Sequence, residues 1–587
     1  MLMNDYKLAV AEKIETELDN VCHSVSRYLP NNGERFRVMA VAAPHWISDC
    51  GGINIHSLDS RVPFSLLNAV RLAATHAEKG VGYWAQSNWR TQVGRNHSIQ
   101  MLSYLSSEKE IFIRKLKEIQ PHLLLIGSMS LSFPGAVALA KIAKDILQEN
   151  VFVVLGGKHA LETIYVKNGA VEHHPGSPLK LMKEYTIPRV FDLVIAGDGE
   201  SIIAEIGEML GRLIQHQMPI KKFYDVWDQL LIADGKWIAG RVENEKIATI
   251  QSWGNPIDYS QIMATTDLFA TESHFDVFDT PATFHAHSYI SKGCIHNCAF
   301  CSERVAVNGK ASRPEQAPYN LLKDFMSIAR KIGKGDSASI FVEDSILLNG
   351  NERHLEHFLK LLDLHDPHLS FGCQLTIDGL LKKSTQPVLK QLKEKGLEYI
   401  FWGLETGSDH IAKGLCKNNQ KEAWLEKNAR ALQWIAENNL KCGVSVMFGL
   451  GESQINRCGL LRHLIEMAKK YGRPNVVSMN IATQHPLQGS DDGANYQYAE
   501  WGTSEESPCL PLYIELFGEA SEKYLLPGIQ PPTLCDLFEI KELYYEYKRV
   551  QNTAWQYQVK YRTKNRRHEV LSMSQQRMFD VVAEGCL

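Results

Sequence analysis

Residues 285–301 read HAHSYISKGCIHNCAFC. The first seven residues have the character of a buried strand, and the rest is a tight loop carrying Cys294, Cys298 and Cys301 at C-x3-C-x2-C spacing. Thiolates are the usual ligands of iron–sulfur clusters. Three on one short loop can hold three irons of a cubane and leave the fourth without a protein ligand. A metal with an open position can take a chelating substrate. A structural zinc site needs four ligands, and His296 would have to turn inward from the same loop to be the fourth. Loose core thiols are the other alternative.

Outward from this loop, apolar runs at 339–343, 369–375, 399–404, 443–448 and 476–482 alternate with helical patterns at 319–332, 352–363, 386–395, 425–438 and 457–471. With 285–291 this makes six βα-like units, as in a partial or full (β/α) barrel whose site gathers at the carboxyl ends of its strands. A core over about 281–495 and a mainly helical, substrate-shaping region over 496–587 follow from this reading; a helical pattern lies at 536–551.

Upstream, strand-like runs at 37–43, 122–127, 151–155 and 192–196, a short apolar run at 81–85, and helical patterns at 66–79, 108–119, 134–148 and 201–214 predict a doubly wound α/β domain over 36–215. Its strand ends carry Pro44-His45, Ser128-Met129-Ser130, Gly156-Gly157-Lys158-His159 and Gly197-Asp198-Gly199-Glu200, where ligands of such sheets sit. Residues 1–35 read as a helical lead-in. Residues 216–280 read as a connector with a hairpin over 231–243 turning at Asp234-Gly235. No dinucleotide fingerprint or phosphate loop is present.

The 587 residues exceed what one core holds, and the composition, 44% hydrophobic and 22% charged, is that of an ordered globular chain. A net charge of −4 argues against a nucleic-acid footprint; the basic run KYRTKNRR at 560–567 reads as a solvated face. No apolar stretch is long enough to span a membrane and the first residues lack a signal core, so a cytoplasmic protein is expected. Of twelve cysteines, those outside the loop are scattered singly, which is no disulfide framework.

At Cys294, Cys298, Phe300 and Cys301 the chain resembles the radical S-adenosylmethionine (radical SAM) enzymes, whose signature is this triad with an aromatic residue before the last Cys. The resemblance implies a [4Fe–4S] cluster whose open iron binds the amino and carboxylate groups of SAM, one-electron cleavage of the sulfonium bond, and an electron-donating reductase as partner. It covers about 280–490. Gly403-Leu-Glu405-Thr-Gly-Ser408 is similar to the family's G-x-E segment, with Glu405 as the carboxylate on SAM; a helix N-cap at Thr406 or Ser408 is the plainer reading. The stretch 443–452 (GVSVMFGLGE), with Gly443 and Gly449, is similar to the strand that meets adenine, or is a strand and turn only. Glu343 and Asp344 either reach the barrel mouth or are a solvated acid pair.

Ser128, then Gly156, Gly157 and His159, then Gly197, Gly199 and Glu200, ahead of such a core, look like the cobalamin-binding domain of the cobalamin-dependent radical SAM class. Lys158 stands where that class often has Pro and Asp198 where it often has Glu, and the D-x-H-x-x-G cobalt-ligand motif is absent. A hydrogen-bonding role suits His159 better than cobalt ligation. The resemblance implies a flavodoxin- or Rossmann-like domain, a partial (β/α)6 TIM-type barrel and a helical C-terminal region. It also implies a methyltransferase acting on an unactivated carbon of a small-molecule or peptide substrate. The alternatives are a non-methylating rearrangement and an electron carrier with a fourth Cys such as Cys373. Trp46, Asp49, Trp84 and Trp89 are candidates for lining the pocket.

Overall fold

The structure is a computed structural model that describes residues 36–43, 64–90, 99–101, 105–130, 132–255, 257–259, 262–264, 284–291, 293–298, 300–304, 315–333, 337–418, 422–483, 507–517, 525–526 and 528–556. The expected lead-in, Pro44-His45, Trp46, Asp49, most of 483–513 and the basic run at 560–567 lie outside the described residues.

The first sheet is built from β1 (Val38–Ala42), β2 (Ile99–Met101), β3 (Leu123–Gly127), β4 (Phe152–Gly156), β7 (Leu193–Gly197), β8 (Lys236–Glu243) and β9 (Lys246–Trp253); β5 (Ile164–Lys167) and β6 (Ala170–His173) form a separate small hairpin. The order is β2-β1-β3-β4-β7-β8-β9. The first five strands pair in parallel, and β8 and β9 add an antiparallel edge. Strands such as Leu123–Gly127 are buried on both faces, which is why they read as unbroken apolar runs. The strand order reverses between β1 and β3, the point where such sheets place ligands.

Two details of the sequence reading are corrected. The hairpin turns at Asn244-Glu245, both at positive φ (45° and 62°), while Asp234-Gly235 merely enters β8. The hairpin also extends the first sheet rather than standing apart from it. The apolar run at 81–85 is a 3-10 turn, Gly82–Gln86, because Trp84 is drawn into the core beneath Phe64–Lys79 and Glu200–Gln215. Trp84 and Trp89 are fully buried, donating to the carbonyls of Ala204 (2.9 Å) and Val38 (3.1 Å), so they line no pocket.

The second sheet has six strands, β10 (Phe284–Ser288), β11 (Ala338–Val342), β12 (Ser370–Gln374), β13 (Leu397–Glu405), β14 (Lys441–Phe448) and β15 (Val476–Ile481), all parallel and in chain order. One face packs under the helices Ala317–Lys331, Glu352–His365, Thr385–Glu394, Trp424–Glu437 and Gln454–Tyr471, burying residues such as Ile340, Val342, Phe371, Cys373, Trp402 and Val444. Alternation puts the next residues on the other face: His285, His287, Phe341, Tyr399, Phe401, Gly443 and Ser445. Among the described residues, Phe341, Tyr399, Phe401 and Val476 make an apolar patch there. Helix Leu534–Gln556 backs Gln454–Tyr471, with Tyr547 Oη donating to Pro474 O at 2.6 Å.

The two sheets meet along a polar seam. Arg71, from the first helix, donates to Met263 O (2.9 Å) and Tyr289 O (3.4 Å) and lies 3.9 Å from Asp324. Tyr259 Oη donates to the buried Glu200 carboxylate at 2.7 Å. No described helix is long and apolar enough to cross a membrane.

Candidate functional site

The cysteine loop leaves the carboxyl end of β10 and is anchored there by Asp344. Fully buried, Asp344 accepts hydrogen bonds from Ile290 N (2.8 Å), Ser291 N (3.1 Å) and Ser291 Oγ (2.6 Å). Burial pushes its carboxyl up to about 7, against those three donors. The acid pair thus divides its work. Asp344 fixes the loop base, while Glu343 faces the sheet's open side, where His287 Nδ1 meets its Oε1 at 2.9 Å.

Glu303 closes the loop. Cys294 N donates to Glu303 O (2.8 Å) and Gly293 N to Glu303 Oε2 (3.1 Å), while Cys301 N returns to Cys298 O (3.1 Å). Two backbone N–H groups aim at sulfur: His296 N at Cys294 Sγ and Glu303 N at Cys301 Sγ, both 3.4 Å. Cys294, Cys298 and Cys301 are free thiols, half-buried; Cys298 raises Cys294, and both raise Cys301. Burial is the main cause of the upward shifts and carries Cys301 to about 11. A metal bound there would have to displace the protons, as thiolate ligation always requires. Among the described residues no three His, Cys, Asp or Glu stand in metal-holding geometry; the thiols are near neighbours with N–H donors on the sulfurs, a donor set that fits an iron–sulfur cluster. His296 is exposed. Cys373 is buried on the helix-covered face, its thiol raised by burial alone, so it faces away from the loop. Cys416, which the sequence did not single out, is exposed and acts electrostatically on Cys298.

Beside the loop, β13 ends in a bulge between Gly403 and Glu405, and Glu405 takes a left-handed φ of 62°. Its buried carboxylate accepts from Lys417 Nζ (3.1 Å) and Ser445 Oγ (3.2 Å), and Asn480 donates to Ser445 Oγ (3.1 Å). Lys417 also lies 5.6 Å from the centre of the Phe300 ring. Burial works against its charge, but Glu405, Cys298 and Cys301 together raise it above the ordinary lysine value. Lys417, Ser445 and Asn480 were missed by sequence reasoning; their partners lie 12 to 40 residues away, a separation with no local signal.

The remaining candidates take plainer places. Gly403 has no room for a side chain because Glu405 and Lys417 fill it, and Gly443 lies under Tyr399 and Phe401. Ser408 caps the helix Asp409–Gly414, accepting from Ile411 N. Gly449 (φ 81°) begins a turn in which Glu452 accepts from Gly449 N (2.7 Å) and Leu450 N (2.8 Å).

On the first sheet, Gly157 (φ 96°) passes so close to Ser128 that a Cβ would sit 2.6 Å from its backbone N and O, whereas above Gly156 the nearest atom is 3.9 Å away. Gly197 (φ 105°) is pressed against Lys236 and Trp237 of β8, and a Cβ on Gly199 would meet Ala69 at 3.2 Å. His159 is fully buried with both ring nitrogens engaged, by Ser130 Oγ and Gly176 O at 3.1 Å each. Met129, just past the end of β3, is 56% exposed. This flat, small-residue platform fits the broad face of a corrin, with His159 committed to the fold.

The two sets of strand ends meet. Lys158 Nζ pairs with Glu303, and Ser302 hydrogen-bonds the buried Glu162 carboxyl, which burial pushes up to about 8. Burial raises the Tyr289 phenol, and carboxylates from both sets of strand ends, Glu303 and Asp344 with Glu200 and Asp198, add to the rise.

No protein-family profile and no curated protein matches the chain. Among solved structures, the chain is similar to the radical SAM methyltransferase TsrM from Kitasatospora setae, with cobalamin and a [4Fe–4S] cluster bound, at 10% identity and a TM-score of 0.49, covering 94% of this chain and 99% of that one. It is also similar to the cobalamin-dependent radical SAM enzyme OxsB, with aqua-cobalamin and S-adenosylmethionine bound, at 12% identity and a TM-score of 0.45, covering 89% and 62%. A third is the radical SAM coproporphyrinogen III oxidase HemN from Escherichia coli, at 11% identity and a TM-score of 0.29, covering 47% and 54%. The structural neighbours of the chain are thus radical SAM enzymes, several of them cobalamin-dependent.

Proposed function

We propose that the chain is a radical SAM enzyme, and within that class a cobalamin-dependent methyltransferase acting on an unactivated carbon of a small-molecule or peptide substrate. The second sheet is read as a partial (β/α)6 barrel and the first as the corrin platform. One observation carries the reading: three half-buried thiols on one loop, with backbone N–H donors on two sulfurs, stand where the carboxyl ends of the parallel strands of the two sheets meet.

Cys294, Cys298 and Cys301 would hold the cluster and Ser128, Met129, Gly156 and Gly157 would lie against the corrin. Bound there, these groups supply one-electron cleavage of SAM and methyl carriage. The protein's own part is placement. Asp344 and Glu303 hold the loop, and the N–H donors favour thiolate over thiol. Glu405, aimed by its bulge and partnered by Lys417 and Ser445, offers a carboxylate to the amino group of SAM. The polar side of the sheet, with His287, Glu343 and Asn480, leaves room for hydrogen-bonding a polar ligand.

The test is anaerobic turnover with methyl-labelled SAM and a chemical reductant. Label in product together with 5′-deoxyadenosine supports the methyltransferase; 5′-deoxyadenosine without label transfer replaces it with a non-methylating radical reaction.

A further inference from the structure

We propose that Glu303 is a positioning residue for the three-thiol loop and that Lys158, across the seam, holds Glu303 in that role. As far as it concerns a metal, this rests on the function proposed above. Glu303 uses its backbone and its side chain on the same loop. Its carbonyl accepts from Cys294 N (2.8 Å), its amide donates to Cys301 Sγ (3.4 Å), and its carboxylate accepts from Gly293 N (3.1 Å) and pairs with Lys158. One residue therefore ties the first and last cysteines together.

The arrangement has an electrostatic cost. The Glu303 carboxylate accepts from Gly293 N, next to Cys294, and so places a negative charge on the loop that carries the three thiols. Its side chain is only 22% exposed, so water screens it poorly. The Lys158 ammonium, 26% exposed, offsets that charge. Lys158 opens the short helix Lys158–Thr163 directly after Gly157, so the platform and the loop are joined by one ion pair. Ser302 bonding to Glu162 of the same helix is a second tie at the same place. The loop's shape is thereby set in part by the first sheet.

The experiment uses the full chain with Lys158→Met, Glu303→Gln and Glu303→Ala. In the metal-free protein, hydrogen exchange of peptides spanning 293–304 is expected to quicken about tenfold in Lys158→Met and more in Glu303→Ala, which also loses the acceptor for Gly293 N, while peptides spanning 397–405 stay as in the wild type. After reconstitution, the reduction potential is expected to fall in Lys158→Met, which loses a positive charge, and to rise in Glu303→Gln, which loses a negative one. Opposite signs distinguish charge placement from general loosening. Exchange at 293–304 unchanged in Lys158→Met overturns the inference even if the wild type binds iron normally. A wild type that takes up no iron overturns the cluster reading, and exchange alone then decides the role of Glu303.

Discussion

At Gly157 the backbone holds a φ of 96° with Ser128 so near that a methyl would overlap its peptide. Gly157→Ala is therefore expected to cost about 1–3 kcal/mol from the backbone conformation alone, with the collision added. Gly156→Ala, one residue earlier and with 3.9 Å of clearance, should be nearly neutral. Comparable melting temperatures for the two variants would refute the close approach. Glu162 gives a pH signature. Its carboxyl is raised from 4.5 to about 8 by burial, so the folded chain keeps a proton that the unfolded chain releases. That contribution is full below about pH 4.5 and is lost as pH rises through about 8. Glu162→Gln should thus gain stability relative to the wild type toward alkaline pH, and thermal melts at pH 5 and pH 8.5 read the difference; a variant-minus-wild-type melting difference that does not move in the variant's favour at pH 8.5 contradicts it. These residue-level roles were only partly legible. The Gly-Gly pair and the cysteines announce themselves by spacing, whereas Glu303, Lys158 and Glu162 act through partners that only the fold brings near.

At the scale of elements, the β13 bulge, the strand β14 and the segment carrying Lys417 make one unit around Glu405. Lys417→Met would leave the 5%-exposed Glu405 carboxylate held by Ser445 Oγ without its cation. A loss of about 3–5 kcal/mol in denaturant unfolding is expected, typical of stripping one partner from a buried pair; a change within error would mean that the pair is screened by solvent. The helices and parallel strands were legible because both kinds of element carry strong periodic or unbroken apolar patterns: β11 to β15 lie within two residues of the sequence reading, and β10 ends three residues short of it. The hairpin was not. Asp234-Gly235 has turn chemistry, but the turn is made by Asn244-Glu245, whose pair of positive φ values suits a tight hairpin. Trp84 and Trp89, candidates for a pocket wall, instead take the core place that most tryptophans have, each finding a backbone carbonyl inside the fold.

For the whole molecule, the sequence separated two runs of alternating elements but held no sign of how they meet. The seam depends on Arg71, Tyr259 and Lys158 reaching residues 192, 59 and 145 positions distant or more, which no local pattern encodes. The same holds for Cys416, whose nearness to Cys298 bears directly on whether one iron stays open.

The decisive measurement is low-temperature EPR of the reduced, reconstituted chain, with and without SAM, on the wild type, Cys298→Ser and Cys416→Ser, alongside iron and sulfide analysis. The account predicts about four irons per chain and a signal altered by SAM in both the wild type and Cys416→Ser, with the cluster lost in Cys298→Ser. A wild-type cluster indifferent to SAM, which becomes responsive only when Cys416 is removed, would mean that a fourth sulfur closes the open corner and would contradict it.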